Sequence, residues 1–327
     1  MTTLTSQNTE TQDDAGTRGS LAVRRAARSR AAAERDTRRP AWKERPSALY
    51  QIVKAVILVL FSASILIPIL LVVSTSLADD QQLAQAGGFV LWPERPTIKA
   101  YETIFAGPMV IGSLGVSAFI TIVGTALALF VTITMAYATS RSVLFGRPVI
   151  LGVLFTLLFA PGLIPSFLMI RQLGLLDSLW SLILPGIFGA FNFVVMRSFF
   201  MNIPAELIES ARIDGASDWQ ILWRIVLPLS KAVIAVVGLF YAVAFWNSFF
   251  NALLYINDHA KWPIQLLLRN FVVQGSGAAD GLGVSSVPPS QSIQMAVVVV
   301  ALVPILMVYP FLQKHFTKGV LTGAVKG

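Results

Sequence analysis

The chain has 327 residues, of which 55% are hydrophobic and 13% charged, against roughly 45–50% and 25% in ordinary soluble domains. So few charges cannot cover that much apolar surface in water, which excludes a soluble fold and points to a bilayer. Cysteine is absent and histidine occurs only at His259 and His315, which leaves no disulfide framework, thiolate site, cysteine nucleophile or histidine-rich metal centre.

The net charge of +8 is uneven: residues 1–54 contribute +5 and the remaining 273 residues +3. The basic excess is a property of the tail. A tail beside anionic lipid accounts for it, and no nucleic-acid partner is expected. Residues 1–48 are polar and poor in aromatics, the composition of a disordered segment. The Ala/Arg-rich part, LAVRRAARSRAAAERDTRRP, reads either as a solvated tail or as a helix on the membrane surface. The first apolar run begins near residue 52, too far in and too long for a cleavable signal peptide.

Six apolar segments follow, at 55–77, 109–137, 148–170, 178–196, 232–257 and 293–312. Each approximates the ~20 residues that cross ~30 Å of hydrocarbon at 1.5 Å per residue. The expected fold class is therefore an all-α membrane protein with six transmembrane helices occupying 49–327. Prolines 161 and 165 in FAPGLIPSF should kink the third helix. Ser117, Thr121, Gly124, Thr125 and Ala128 give the second helix a small-residue face suited to packing. With an even number of spans both termini lie on one side. That side carries twenty of the Lys/Arg residues and the other five, so both termini are expected in the cytoplasm. The outer loops are then 78–108, 171–177 and 258–292, the last with the Gly/Ser/Pro stretch QGSGAADGLGVSSVPPS.

An inner loop of about thirty residues, 198–230, joins the fourth and fifth segments. A connection of that length between neighbouring helices carries structure or function. Pro204 and Glu206 suit a first helical turn. Ile203, Leu207, Ile208 and Ala211 share one helical face, and Glu206 and Glu209 the other. Gly215 can stop the helix in a left-handed conformation. Ser217 and Gln220 have capping-box spacing for a second helix, and Pro228 marks the junction with the fifth span. The prediction is helix, glycine turn, helix. Such an element either docks another protein through its carboxylates or tethers two spans.

Glu209-Ser210-Ala211, three residues, Gly215, nine residues and Ile225-Val226-Leu227-Pro228 resemble the E-A-A-x3-G-x9-I-x-L-P motif of the membrane subunits of binding-protein-dependent ATP-binding-cassette importers. Ser210 departs from the usual Ala but stays small. The C-terminal run Lys318–Gly327 and the stretches Trp246-Asn247-Ser248-Phe249-Phe250-Asn251 and Lys261-Trp262-Pro263 resemble carbohydrate-uptake permeases of the maltose type. The likeness covers about residues 50–327. It implies a type I importer permease fold whose helix 204–213 is a cytoplasmic coupling helix. In that reading Glu206, Glu209, Ser210, Ala211, Asp214, Gly215 and Pro228 serve coupling to an ATPase. It also implies a second homologous permease, two ATPase subunits that bind the ATP, an extracytoplasmic sugar-binding protein, and a plasma-membrane location. This chain itself would be no enzyme and hold no cofactor.

Asn247, Ser248, Asn251 and Tyr255 are spaced to share a face of the fifth helix, and Asn192 lies in the fourth. With the flat ring of Trp246 they suit a neutral sugar in a translocation path; interhelical hydrogen bonding is the alternative. Arg197 should reach the interface or a loop carboxylate. No G-x-x-x-x-G-K-[ST], G-x-S-x-G, H-E-x-x-H or G-x-G-x-x-G occurs. The near absence of charge in the spans disfavours a secondary carrier, and the missing His, Asp and Cys disfavour an intramembrane enzyme. A permease of the same superfamily for a non-sugar solute stays open.

Overall fold

The computed structural model describes residues 47–141, 146–159, 161–274 and 290–324, with side chains followed to residue 308 in the last helix. The basic tail, the Gly/Ser/Pro part of the 258–292 loop and residues 325–327 lie outside the described residues. All regular structure among the described residues is helical. The chain divides into two units, Met1–Leu66 and Ile67–Gly327. The described part of the first is apolar helix with exposed side chains.

Three helices are long and apolar enough to cross a bilayer: α1 (Ala48–Ser76), α4 (Pro108–Ser140) and the 18 residues Gln291–Val308 that open the last helix, α15 (Gln291–Ala324). Two short helices precede α4: α2 (Asp80–Gln85) and α3 (Lys99–Ala106). Pro108 starts α4, where the missing N–H is no loss.

The remaining segments are broken. Up to six spans result when each bent helix pair is counted as one, the pair in the fifth segment being Asp218–Leu229 with Lys231–Trp246, bent by 85°. The third segment is α5 (Gly146–Leu158) and α6 (Leu163–Gln172). Pro161 and Gly162 stand at the break, where a straight helix was expected only to kink. The fourth is α7 (Trp180–Ile183), a 3-10 turn (Leu184–Gly186) and α8 (Ala190–Met201), bent by 46°. Pro185 and Gly189 flank that bend. The loop to the fifth segment contains α9 (Ala205–Ile213), α10 (Asp218–Ile221), a π turn (Leu222–Val226) and α11 (Leu227–Leu229). The π turn ends two residues before Pro228, which cannot donate to the carbonyl of Arg224.

The fifth segment differs most from expectation. A helix over 232–257 was predicted. Instead α12 (Lys231–Trp246) stops, and a short α13 (Phe250–Tyr255) resumes after Asn247, Ser248 and Phe249. Sixteen residues cover only about 24 Å, less than the hydrocarbon thickness. Asn and Ser are poor helix residues whose side chains compete with the backbone. A 3-10 turn (His259–Lys261), α14 (Ile264–Arg269) and a π turn (Asn270–Gln274) follow.

In the second unit, α4, α8 and α12 meet along the main core, which includes Ile120, Ala128, Phe193, Met196, Val237 and Phe245. The small face of α4 packs. A Cβ on Gly124 would stand 2.8 Å from the Phe245 ring, and one on Gly186 the same distance from it. Tyr241 ties the three helices. Its hydroxyl lies 2.7 Å from Thr132 Oγ1 and accepts the Gly189 N–H at 2.9 Å. Many apolar side chains of this unit turn outward, among them Ile122, Leu151, Leu158 and Met307. A surface of that kind belongs against lipid or another subunit.

Candidate functional site: the helix pair 205–226 and the break in the fifth span

The loop after α8 folds through local signals. Pro204 sits at the N-cap of α9 in extended conformation, with Glu206 in the first turn beside the positive helix end. Gly215 takes φ +80°. Its N–H donates to the Arg212 carbonyl at 3.0 Å and the Ala216 N–H to the Ala211 carbonyl at 2.9 Å, the two bonds of a Schellman stop. Ser217 then caps α10: its backbone N–H reaches Gln220 Oε1 at 2.9 Å and its Oγ accepts the Gln220 N–H at 3.4 Å. Across the turn, Arg212 pairs with Asp218 at 3.0 Å.

One side of this helix pair is fixed in the core. Ile203, Ile208, Ile221, Leu222 and Val226 are buried in the same cluster as Met196 and Phe200. The other side is open. Glu206, Glu209, Ser210, Asp214, Gly215 and Pro228 are exposed, and Ala211 is half-buried. Leu207 was expected on the buried face and is exposed instead, because Ile203 and Ile208 take the inward positions. Ile213, at the tip, is 86% exposed. Trp219 and Trp223 lie edge to face, 5.9 Å apart, and both are exposed.

Beside α9 is a cleft of about 620 Å³ lined by Tyr137, Arg141, Ile208, Glu209, Arg212, Asp218 and Trp219, among others. The Arg141 guanidinium stands over the Tyr137 ring at 5.3 Å. Arg197 pairs with no loop carboxylate among the described residues. Its Nε donates to the Thr139 carbonyl at 3.1 Å, so it caps the end of α4.

The break in the fifth span gathers Trp246, Asn247 and Ser248 but does not give them one helical face with Asn251 and Tyr255. Trp246 is buried, its indole N–H unpaired, and the Ser248 hydroxyl is likewise buried without a partner among the described residues. Asn247 caps α12 and lines a crevice of about 440 Å³ with Trp246, Thr121, Ala242 and Pro304. Asn251 is exposed on α13. Tyr255 is buried with its ring 6.3 Å from that of Phe167, a packing contact. Asn192 is half-buried in α8.

Three residues had no place in the sequence reading. Arg141 entered only as one of the twenty basic residues counted for orientation. Tyr241 could have been flagged as a lone hydroxyl within an apolar run. Asp177, at the turn before α7, adopts φ 58°. Its Oδ1 accepts the N–H groups of Asn257 (2.6 Å) and Asp258 (2.9 Å), its own N–H donates to the Tyr255 carbonyl, and Lys261 Nζ donates to its carbonyl at 2.9 Å. The backbone N–H groups of Asp258 and Asn257 hold the Asp177 carboxyl below the usual carboxylate range. Among the described residues no group of three or more His, Cys, Asp or Glu could hold a metal ion.

The profile of the family described as binding-protein-dependent transport system inner membrane component matches residues 128–322. Protein LplC of Bacillus subtilis is 49% identical over 80% of this chain and 90% of its own length. The polygalacturonan/rhamnogalacturonan transport system permease protein YtcP of the same organism is 48% identical over 83% and 96%. Its galactooligosaccharides transport system permease protein GanQ is 32% identical over 72% and 82%. Among solved structures, a chain from a bacterial ABC transporter involved in the import of the acidic polysaccharide alginate superposes with a TM-score of 0.77 at 31% identity, covering 85% of this chain and 100% of that one. The fold is that of a type I ABC-importer permease.

Proposed function

The chain belongs to the binding-protein-dependent transport system inner membrane components, and from that premise we propose that it is the permease subunit of an ATP-driven carbohydrate importer. Relatives named for galacturonan and galactooligosaccharide transport, and a fold shared with an alginate importer, support saccharide as cargo. The observation that carries the mechanism is the helix pair 205–226, rooted in the core by Ile208, Ile221 and Leu222 and open along Glu206, Glu209 and Ile213. A lever that transmits motion must be stiff at its root and accessible at its tip.

In this reading α9 is the coupling helix. Glu209 and Glu206 contact a separate ATPase subunit, Ser210 and Ala211 allow its close approach, and Asp214 and Gly215 form the turn. Pro228 lies where the lever joins α12. Two such ATPases bind and hydrolyse ATP, a second homologous permease completes the path, and an extracytoplasmic binding protein delivers the sugar. Both termini and the 198–230 loop face the cytoplasm. Asn247, Ser248, Asn251, Trp246 and Asn192 line or border the path, where amide and hydroxyl groups exchange hydrogen bonds with sugar hydroxyls. Tyr255, packed on Phe167, supports that wall.

The test is uptake by proteoliposomes holding the assembled complex with its binding protein. Saccharide should accumulate only with ATP, and Glu209→Lys should abolish uptake while the permease remains in the membrane. ATP-independent uptake, or full uptake by the variant, would contradict the reading.

A further inference from the structure

We propose that Arg269, at the break in the fifth span, reads a carboxylate on the transported saccharide, so that the substrate is an acidic, uronate-bearing oligosaccharide. The proposal rests on the saccharide-permease reading and names the substrate class of the same path.

The argument begins with where α14 sits. The Ile264 N–H donates to Ser117 Oγ at 2.8 Å, and both residues are buried. Ser117 stands nine residues into α4, which begins at Pro108, or about 14 Å along the helix axis. Ile264, Leu267 and Phe271 share one buried cluster with Trp246, the last residue of α12, and with Ala296 and Val297 of α15. The short helix is thus packed at the level of the break.

Arg269 ends α14. Its guanidinium carbon lies 5.7 Å from the centre of the Phe249 ring, and Phe249 is itself part of the break. Arg269 is half-buried, and no carboxylate pairs with it among the described residues. Lys261 differs: it is paired with Asp258 at 3.3 Å and with the Asp177 carbonyl.

A guanidinium carries five N–H donors in a planar fork and no acceptor. Stacking on Phe249 satisfies its face, and no described residue takes up the fork. The negative end of α14 favours a cation there but cannot take those donors. A half-buried charge without a partner among the described residues, beside a span, points to a substrate route, and the fork matches a carboxylate bidentately. Asn247, Ser248 and Asn251 nearby in the chain supply the neutral donors and acceptors that sugar hydroxyls need. Cation and amides together fit a sugar acid better than a neutral sugar.

The experiment uses the full transporter, reconstituted with its ATPases and binding protein. ATP-driven uptake of a tri-uronate oligosaccharide is compared with uptake of its methyl ester, each per assembled complex. Arg269→Gln should lower the acid-to-ester ratio about tenfold or more, the scale of one charge-assisted contact, and Arg269→Lys, which keeps the charge but not the fork, should recover only part of it. An unchanged ratio, or equal loss of both substrates, would overturn the proposal and assign Arg269 to packing or to a subunit contact. Wild-type uptake of the ester alone would also overturn it while leaving the carbohydrate reading intact. Uptake of neither by a wild-type complex that imports a neutral oligosaccharide would overturn the proposal alone, whereas ATP-driven import of no saccharide would overturn the carbohydrate reading itself.

Discussion

The helix pair 205–226 and the break at 247–249 are both interruptions between apolar helices, yet they are built in opposite ways. The first is written in neighbouring residues: Gly215 with two turn bonds, Ser217 with Gln220, Arg212 with Asp218. The second is held by distant ones: Trp246 in a cluster with α3, α14 and α15, and the far end of α13 tied to Asp177. A lever needs a fixed internal geometry that survives displacement. A path wall needs groups from several elements, some left unpaired for a ligand. The two constructions suit those two tasks.

The largest effect should come from the glycine turn. Nothing lies within 4 Å of a Cβ placed on Gly215, so any penalty there is conformational. A left-handed backbone costs an ordinary residue about 1–2 kcal/mol, and a β-branched one more. Gly215→Val should reduce ATP-driven uptake at least about tenfold with the protein still in the membrane, whereas Gly215→Asn, which tolerates φ above zero, should retain most of it. Equal uptake by both variants would break the claim that the lever depends on this turn.

Next comes the tie between the spans. Tyr241→Phe leaves the Gly189 N–H and Thr132 without their partner. The midpoint of thermal unfolding in detergent should fall by an amount equivalent to about 1–2 kcal/mol. No shift would mean that water or lipid replaces the hydroxyl.

A smaller effect is expected at the path. Asn247→Ala should lower uptake per assembled complex by the worth of one directed hydrogen bond, about 0.5–1.5 kcal/mol. Reduced assembly with unaltered sugar preference would instead make Asn247 a packing residue.

The smallest effect concerns the tie at Asp177. The Asp177 carboxyl is held below its ordinary value by the N–H groups of Asp258 and Asn257, and Asp258 likewise by the Ala260 N–H. Groups depressed on folding stabilise the folded state above their unfolded value and lose that contribution as pH falls through the folded one. Amide exchange at Asn257 and Asp258 should therefore stay slow from neutral pH down to the ordinary carboxylate range near 3.8, and accelerate below it relative to reference amides. Asp177→Asn should show faster exchange already at neutral pH.

The same contrast explains what could be read in advance. The helix pair 205–226 was legible because glycine, capping box and proline act within a few residues. Its buried face was nearly so, with Leu207 misplaced because helical spacing alone does not choose between adjacent apolar positions. The fifth span was read too long, since 232–257 carries no charge and Asn247 and Ser248 alone do not announce a break whose neighbour Trp246 packs with α14 from beyond it. Asp177 and Arg269 gained meaning only from partners across space: Asp177 bonds residues eighty positions away, and Arg269 rests on a ring twenty residues earlier in the chain.

The central claim is that the 205–226 helix pair faces the cytoplasm and docks an ATPase through α9. The natural chain has no cysteine, so Ile213→Cys, at the 86% exposed tip, gives a single reactive probe. In intact cells it should resist a membrane-impermeant maleimide added outside, and in membranes it should cross-link to the ATPase subunit with a short bifunctional reagent. Labelling from outside intact cells, or no cross-link in an active complex, would contradict the account.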